Sequence, residues 1–281
     1  MGFTRKALLL SGLLALSWIG PAAARSPADS TRDLALTYRV YYGGFEVLRL
    51  VVDIRLAAED YKLEMNFRTL GLIGTLFPWT MKAYARGRLT KDGVHPVAAG
   101  QRNSWRGRQR WVELRYPGRS PVVADAHPAV KDDKPSAKSL IDTIDLASAI
   151  FAMTRQLDQH RGCGRRLPVF DGRRRYDLLF KGLGDGAIRR SGYSVYAGPV
   201  TNCRAEMDRL AGFKTRQNSY GGWGEADRTA TVSMGRPFID APPVPVRIEI
   251  QTRWGDIMAH LTQAKLAANG NTRKLALAVG R

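Results

Sequence analysis

The segment CGRRLPVFDGRRRYDLLF, residues 163–180, sets five arginines around one Asp-Gly pair and begins with one of only two cysteines in the chain. Guanidinium groups gathered in this way can grip a phosphate or carboxylate through paired N–H donors. The same residues can also be the charged face of a β-hairpin, and the spacing of their apolar neighbours bears on that choice.

The remaining candidates for chemistry are sparse. Cys163 and Cys203 are an even pair, which in an oxidising compartment favours one disulfide between them. A zinc site needs more ligands than two cysteines and the scattered His95, His127, His160 and His260 supply. Asp142 and Asp145 stand at the start of a helical pattern, where carboxylates cap the helix and offset its dipole. No H-E-x-x-H, G-x-S-x-G or glycine-rich phosphate loop occurs. No catalytic residue and no cofactor is therefore assigned. The basic-aromatic stretch QRNSWRGRQRW (101–111) suits stacking on bases, sugars or headgroups, or simply a charged strand.

The N-terminus sets the expected compartment. Arg5 and Lys6 precede the apolar run ALLLSGLLALSWIG, and Ala22 and Ala24 occupy small-residue cleavage positions. This reads as a signal peptide over residues 1–24 and predicts a periplasmic protein. The apolar run is too short for a membrane span, and no later stretch in the mature chain is long and apolar enough for one. Removing 24 of 281 residues leaves 257, with a net charge near +17 in place of +19. Export argues against nucleic acid as the partner of so basic a chain. Lipid, or another anionic component of the envelope, is the partner the charge predicts.

Elements follow from periodicity. After a flexible stretch over 25–32, a single β-rich domain is expected over 33–281. Leu34, Leu36, Tyr38, Val40 and Tyr42 share one strand face, and Leu48, Leu50, Val52, Ile54 and Leu56 another. A three-residue loop, Gly43-Gly44-Phe45, would pair Tyr38 with Leu50 and Val40 with Leu48 and bring the two faces together. Tyr61, Leu63, Met65 and Phe67 continue that face on a third strand. LGLIGTLFPW (70–79) is too irregular for a strand; a helical turn plugging the sheet end is preferred over an exposed apolar loop touching lipid or ligand. Further strands are expected in TMKAYARGRLT, WRGRQRWVELRY and PVVADA. Leu140, Ile144, Ala147 and Phe151 mark one helix, capped by Asp142 or Ser139.

Asp171-Gly172 is a favoured two-residue hairpin turn, pairing Phe170 with Arg173, Leu167 with Tyr176 and Cys163 with Phe180. Leu167, Val169, Tyr176, Leu178 and Phe180 then face inward, together with Cys163. Arg166, Arg173, Arg175 and Asp177 take the wet face, with Arg166 and Asp177 as a cross-strand pair. An anion site at Arg173 and Arg175 remains the functional alternative. A last hairpin turning at Gly255-Asp256 pairs Trp254 with Ile257 and leaves His260 exposed. Asn269-Gly270 turns a final strand.

LTYRVYYGGFEV, DTIDLASAIFAMTR, LPVFDGRRRYDL with its upstream cysteine, and PVRIEIQTRWGDIMAHL together resemble the bacterial family known as domain of unknown function 3108, over roughly residues 33–265. The resemblance implies an envelope location and no established activity. The expected fold is mainly β: a large curled antiparallel sheet, an open or half barrel, with one main helix on its concave side. The function expected of such a cup is non-enzymatic binding of an amphiphile. Its tail would lie on Leu50, Val52, Met65 and Phe67, and its anionic head at Arg173 and Arg175. The alternative is an envelope interaction or structural module with a filled core and no small ligand.

Overall fold

The structure, a computed structural model, describes residues 31–130, 134–213, 229–252 and 255–277. The expected signal peptide and most of the flexible stretch after it lie outside the described residues. Arg32 is already in the first strand, paired with Leu56 and Ala268, so the sheet starts one residue before the expected domain boundary.

One antiparallel sheet carries all the described strands. Its first half is a meander: β1 (Arg32–Tyr42), β2 (Phe45–Leu56), β3 (Asp60–Thr69), β4 (Trp79–Leu89), β5 (Val94–Trp105), β6 (Arg108–Arg115) and β7 (Val122–His127). The second half is β8 (Arg165–Phe170), β9 (Arg175–Ile188), β10 (Gly198–Ala211), β11 (Thr229–Gly235), β12 (Val244–Thr252), β13 (Gly255–Ala268) and β14 (Asn271–Ala276). The halves join where β1 pairs with β13, giving the order β7-β6-β5-β4-β3-β2-β1-β13-β12-β11-β10-β9-β8, with β14 beside β13. The sheet is not closed, and the expected curled, open sheet is what the chain forms.

Its two ends nevertheless approach each other. Phe170 of β8 packs with Val112 and Leu114 of β6. Between them runs the segment leading into the main helix. Asp142 N donates to Arg119 O at 2.7 Å, beyond β6, while Ile144 exchanges 3.0 Å backbone bonds with Pro168 and Phe170 of β8. This segment satisfies exposed backbone groups of edge strand β8 that would otherwise invite pairing with another chain.

The β1–β2 register is as expected, with Tyr38 opposite Leu50 and Val40 opposite Leu48, but the turn differs. Gly43 and Gly44, at φ +55° and +88°, make a two-residue turn that pairs Tyr42 with Phe45. A register shift beyond Val40 then restores the phase. In the β12–β13 hairpin Ile250 pairs with Ile257 rather than with Leu261, a shift by four positions that keeps both faces, and Thr252 pairs with Gly255. Trp254 lies outside the described residues. His260 is half-buried rather than exposed, with its ring against Tyr41 and Tyr193. Burial and then Arg247 hold its pKa below the ordinary histidine value.

The main helix, α2 (Leu146–Asp158), begins later than its periodicity suggested. Asp145 is its N-cap, accepting from Ser148 N at 2.9 Å and from Ser148 Oγ at 2.6 Å. Tyr61 OH is 2.7 Å from the same Oγ. Asp142 instead forms a bidentate pair with Arg119, and Ser139 belongs to the preceding 3-10 turn, Ala137–Leu140. Ala147 and Phe151 pack into the core of Leu34, Leu36, Tyr61 and Leu63. Ala149, Met153 and Leu157 pack against Leu167, Val169 and Tyr176. One helix thus joins both halves of the concave face, which explains why most of its residues, Ser148, Thr154 and Gln156 included, are buried.

Candidate ligand site

The expected anion hairpin forms with a different turn. Phe170 pairs with Arg175, so residues 171–174 make a four-residue loop rather than a two-residue turn. Asp171 is the cause: its Oδ1 accepts from Arg173 N at 2.9 Å and Arg174 N at 2.7 Å, a side chain imitating a turn. Gly172, at φ +87°, lies so close to Val112 that any Cβ would strike that side chain. The shift by two positions keeps the faces, so Leu167, Val169, Tyr176, Leu178 and Phe180 point to α2 as expected.

The outer face is wet at Arg166 but not at Arg175 and Asp177. Arg175 is 9% exposed and Asp177 5%. Arg175 donates to Asp177 Oδ1 at 2.5 Å, to Tyr176 O at 2.6 Å and to Ser139 O at 2.9 Å. The 137–140 turn covers this face, and that coverage is invisible in strand alternation. Arg166 reaches Asp177 at 3.4 Å, so the expected pair forms, shared with Asp208 at 3.2 Å. Arg175 commits its Nε and Nη1 donors within the fold, and its burial holds it away from an anionic head in the open.

Cys163 and Cys203 form a disulfide that ties the segment before β8 to β10, with Cα atoms 5.7 Å apart. Both cysteines are buried beside Phe180 and Met153.

The expected tail residues separate into two groups. Leu50 and Val52 pair with Phe67 and Met65 on the same sheet face, and lean on the main core. Met65 and Phe67 line a cleft of about 120 Å³ between β3–β6 and α2, together with Met81, Ala83, Leu146 and Ile150. Leu146 and Ile150 are 40% and 39% exposed, although the helix around them is buried. Periodicity missed this pair because the reading followed the stripe Leu140, Ile144, Ala147, Phe151. The signal was two further apolar residues spaced i, i+4.

Asp145 and Asp171 border the cleft. Burial pushes the Asp145 carboxyl up, and its bonds to Ser148 oppose that shift. Beyond Asp171 stands Arg173, half-buried, donating to Pro128 O at 2.6 Å. Burial, and next the charge of Arg110, lower its pKa, while Asp171 acts the other way. Arg110 shares the face of Val112, which lines the cleft. The arrangement is an apolar slot with two mutually repelling cations close to one border. It can hold a chain and neutralise a head; it contains no nucleophile paired with a base. Among the described residues no group of three or more His, Cys, Asp or Glu gathers that could hold a metal ion.

An open antiparallel half-barrel with a helix laid in its concavity is thus the class of protein. The chain belongs to the family described as Protein of unknown function (DUF3108), whose model matches residues 37–262. Among curated proteins none matches. A similar solved structure is a β-barrel-like protein of domain of unknown function DUF1849 from Brucella abortus. It is 10% identical, with a TM-score of 0.48 over 86% of this chain and 98% of that one.

Proposed function

We propose that this protein is a non-enzymatic periplasmic binding protein for an amphiphile with an anionic head. The observation that carries the reading is the apolar pair Leu146 and Ile150, left exposed on an otherwise buried helix and sharing a cleft with Met65, Phe67 and Met81. Together with Met65, Phe67 and Met81 they make a contiguous apolar surface, and such a patch marks a binding groove where a single exposed Leu does not. Leu50 and Val52 extend the same wall. Arg173 is the cation for the head, with Arg110 taking the place that the sequence reading gave to Arg175. The disulfide supports an oxidising compartment, and the N-terminal segment supports export. Among the described residues no helix is long and apolar enough to cross a membrane.

One observation favours the second reading, a filled envelope module without a small ligand. The cleft, at about 120 Å³, is below the roughly 300 Å³ at which pockets begin to enclose a drug-sized ligand. On the first reading it takes the end of a chain and not a whole molecule. The test is native mass spectrometry and lipid extraction of protein purified from the periplasm. The expected result is a co-purifying amphiphile that is lost in Ile150→Asp and weakened in Arg173→Ala, with melting little changed. Repeated purification of the wild-type protein with nothing bound favours the filled module.

A further inference from the structure

The stretch 70–79 does not plug the sheet. It forms a short helix, α1 (Gly71–Leu76), with none of its residues buried. Leu72 is 73% exposed, and Ile73, Leu76 and Phe77 are exposed beside it. The element is nonetheless held firmly. Thr69 Oγ1 donates to Phe77 O at 3.1 Å and accepts from Trp79 N at 3.0 Å, and Leu70 N donates to Val47 O at 3.0 Å. Such anchoring presents apolar side chains to solvent at a fixed place, which water alone does not favour.

Two neighbouring turns extend the patch. Phe45, 78% exposed, starts β2 beside α1. Trp105, also exposed, ends β5 and stacks on Phe77 at 6.3 Å. Arg106 closes the rim: its N–H donates to Pro78 O at 3.2 Å, and its guanidinium lies 5.0 Å over the Phe77 ring. Arg108 follows across the turn, and Arg68 is the last residue but one of β3, close before α1. Residues 65–91 and 93–112 contain no Asp or Glu, so this rim is positive as well as apolar. Glu46, next to Phe45 in β2, is held by Arg39 at 3.7 Å and Arg49 at 3.8 Å.

We infer that this rim docks on the surface of a bilayer containing anionic lipid. Exposed Leu, Phe and Trp enter the boundary between headgroups and acyl chains, and the arginines meet the headgroup phosphates. A protein partner would be expected to match some of these cations with acids on its own surface and to need no lipid. The charge and the isolated, fixed apolar tip together favour the bilayer. The inference does not depend on the cleft being occupied.

Vesicle flotation tests it, using protein with residues 1–24 verified as removed. Wild-type protein should float with phosphatidylcholine vesicles that contain phosphatidylglycerol, and about tenfold less with phosphatidylcholine alone at low salt. Leu72→Asp/Phe77→Asp should lose most of that binding with unchanged melting, because neither side chain is buried. Arg106→Glu/Arg108→Glu should lose it too. Ile150→Asp should float as wild type, which separates this inference from the cleft reading. The idea is overturned if wild-type protein stays unbound on anionic vesicles, or if Leu72→Asp/Phe77→Asp floats unchanged. It is also overturned if Ile150→Asp abolishes flotation, or if light scattering shows a dimer that Leu72→Asp dissociates.

Discussion

Arg175 and Asp177 illustrate how one covering element reverses the meaning of a charged residue. In the sequence they alternate with apolar residues and read as a solvated pair. In the fold the 137–140 turn closes over Arg175, and Asp177 is buried between Arg175 and Arg166. Removing one member of a buried pair leaves the other charge uncompensated, which costs about 3–5 kcal/mol. Arg175→Ala should therefore destabilise by an amount in that range, read by urea unfolding, whereas Arg173→Ala should change stability by less than about 1 kcal/mol. Equal effects would mean that the outer face of β9 is open to water. Asp145 carries a second residue-scale expectation. Asp145→Ala loses the helix cap and the acceptor of the Ser148 hydroxyl, which keeps only its contact with Tyr61 OH, a loss of about 2 kcal/mol. Because burial raises its folded pKa above the unfolded value, its stabilising contribution is complete below the ordinary aspartate range. It declines as pH rises through the folded pKa. Asp145→Asn should keep the Ser148 N–H bond and flatten that part of the stability–pH curve.

At the scale of elements, the hairpin around Asp171 was legible as a hairpin, but its loop was not. Asp-Gly specifies a turn; the side chain of Asp171 and the approach of Val112 decide that it spans four residues. Faces survived because the register moved by two, and alternation has period two. The disulfide fixes this hairpin to β10 across a sequence separation of 40. In the chain-entropy account, closing a loop of that length stabilises by about 4 kcal/mol. Cys163→Ala should lower the melting temperature and free Cys203 for alkylation. Two cysteines alkylated without reductant in the wild-type protein would refute the link. The helix α2 was legible as a helix from its stripe. Its outward pair, Leu146 and Ile150, was not, since period analysis finds the face that meets the core and is silent about which further residues the core leaves uncovered.

Across the whole molecule, the two faces at opposite roles are the cleft under α2 and the rim at α1. They give separate readouts, a co-purifying amphiphile and vesicle binding, and the variants Ile150→Asp and Leu72→Asp/Phe77→Asp should each move one and leave the other. The curl of the sheet connects them to stability: β6 and β8, far apart in strand order, meet through Phe170, Val112 and the segment at Ile144. Substituting Phe170 by Ala should accordingly be costly, at about 3–5 kcal/mol, as for other buried phenylalanines.

The sequence by itself determined the β class, the meander, the inward faces, the helix and the family, because alternation, turn residues and helical spacing are local signals and the strand faces survive a shift of register by two. Only the tertiary structure decided that Arg175 is buried, that Arg110 stands with Arg173, that Leu146 and Ile150 are uncovered, and that residues 70–79 project rather than plug. Each of these depends on which distant segment covers a face once the sheet curls, and covering is a property of the closed chain that no local period records.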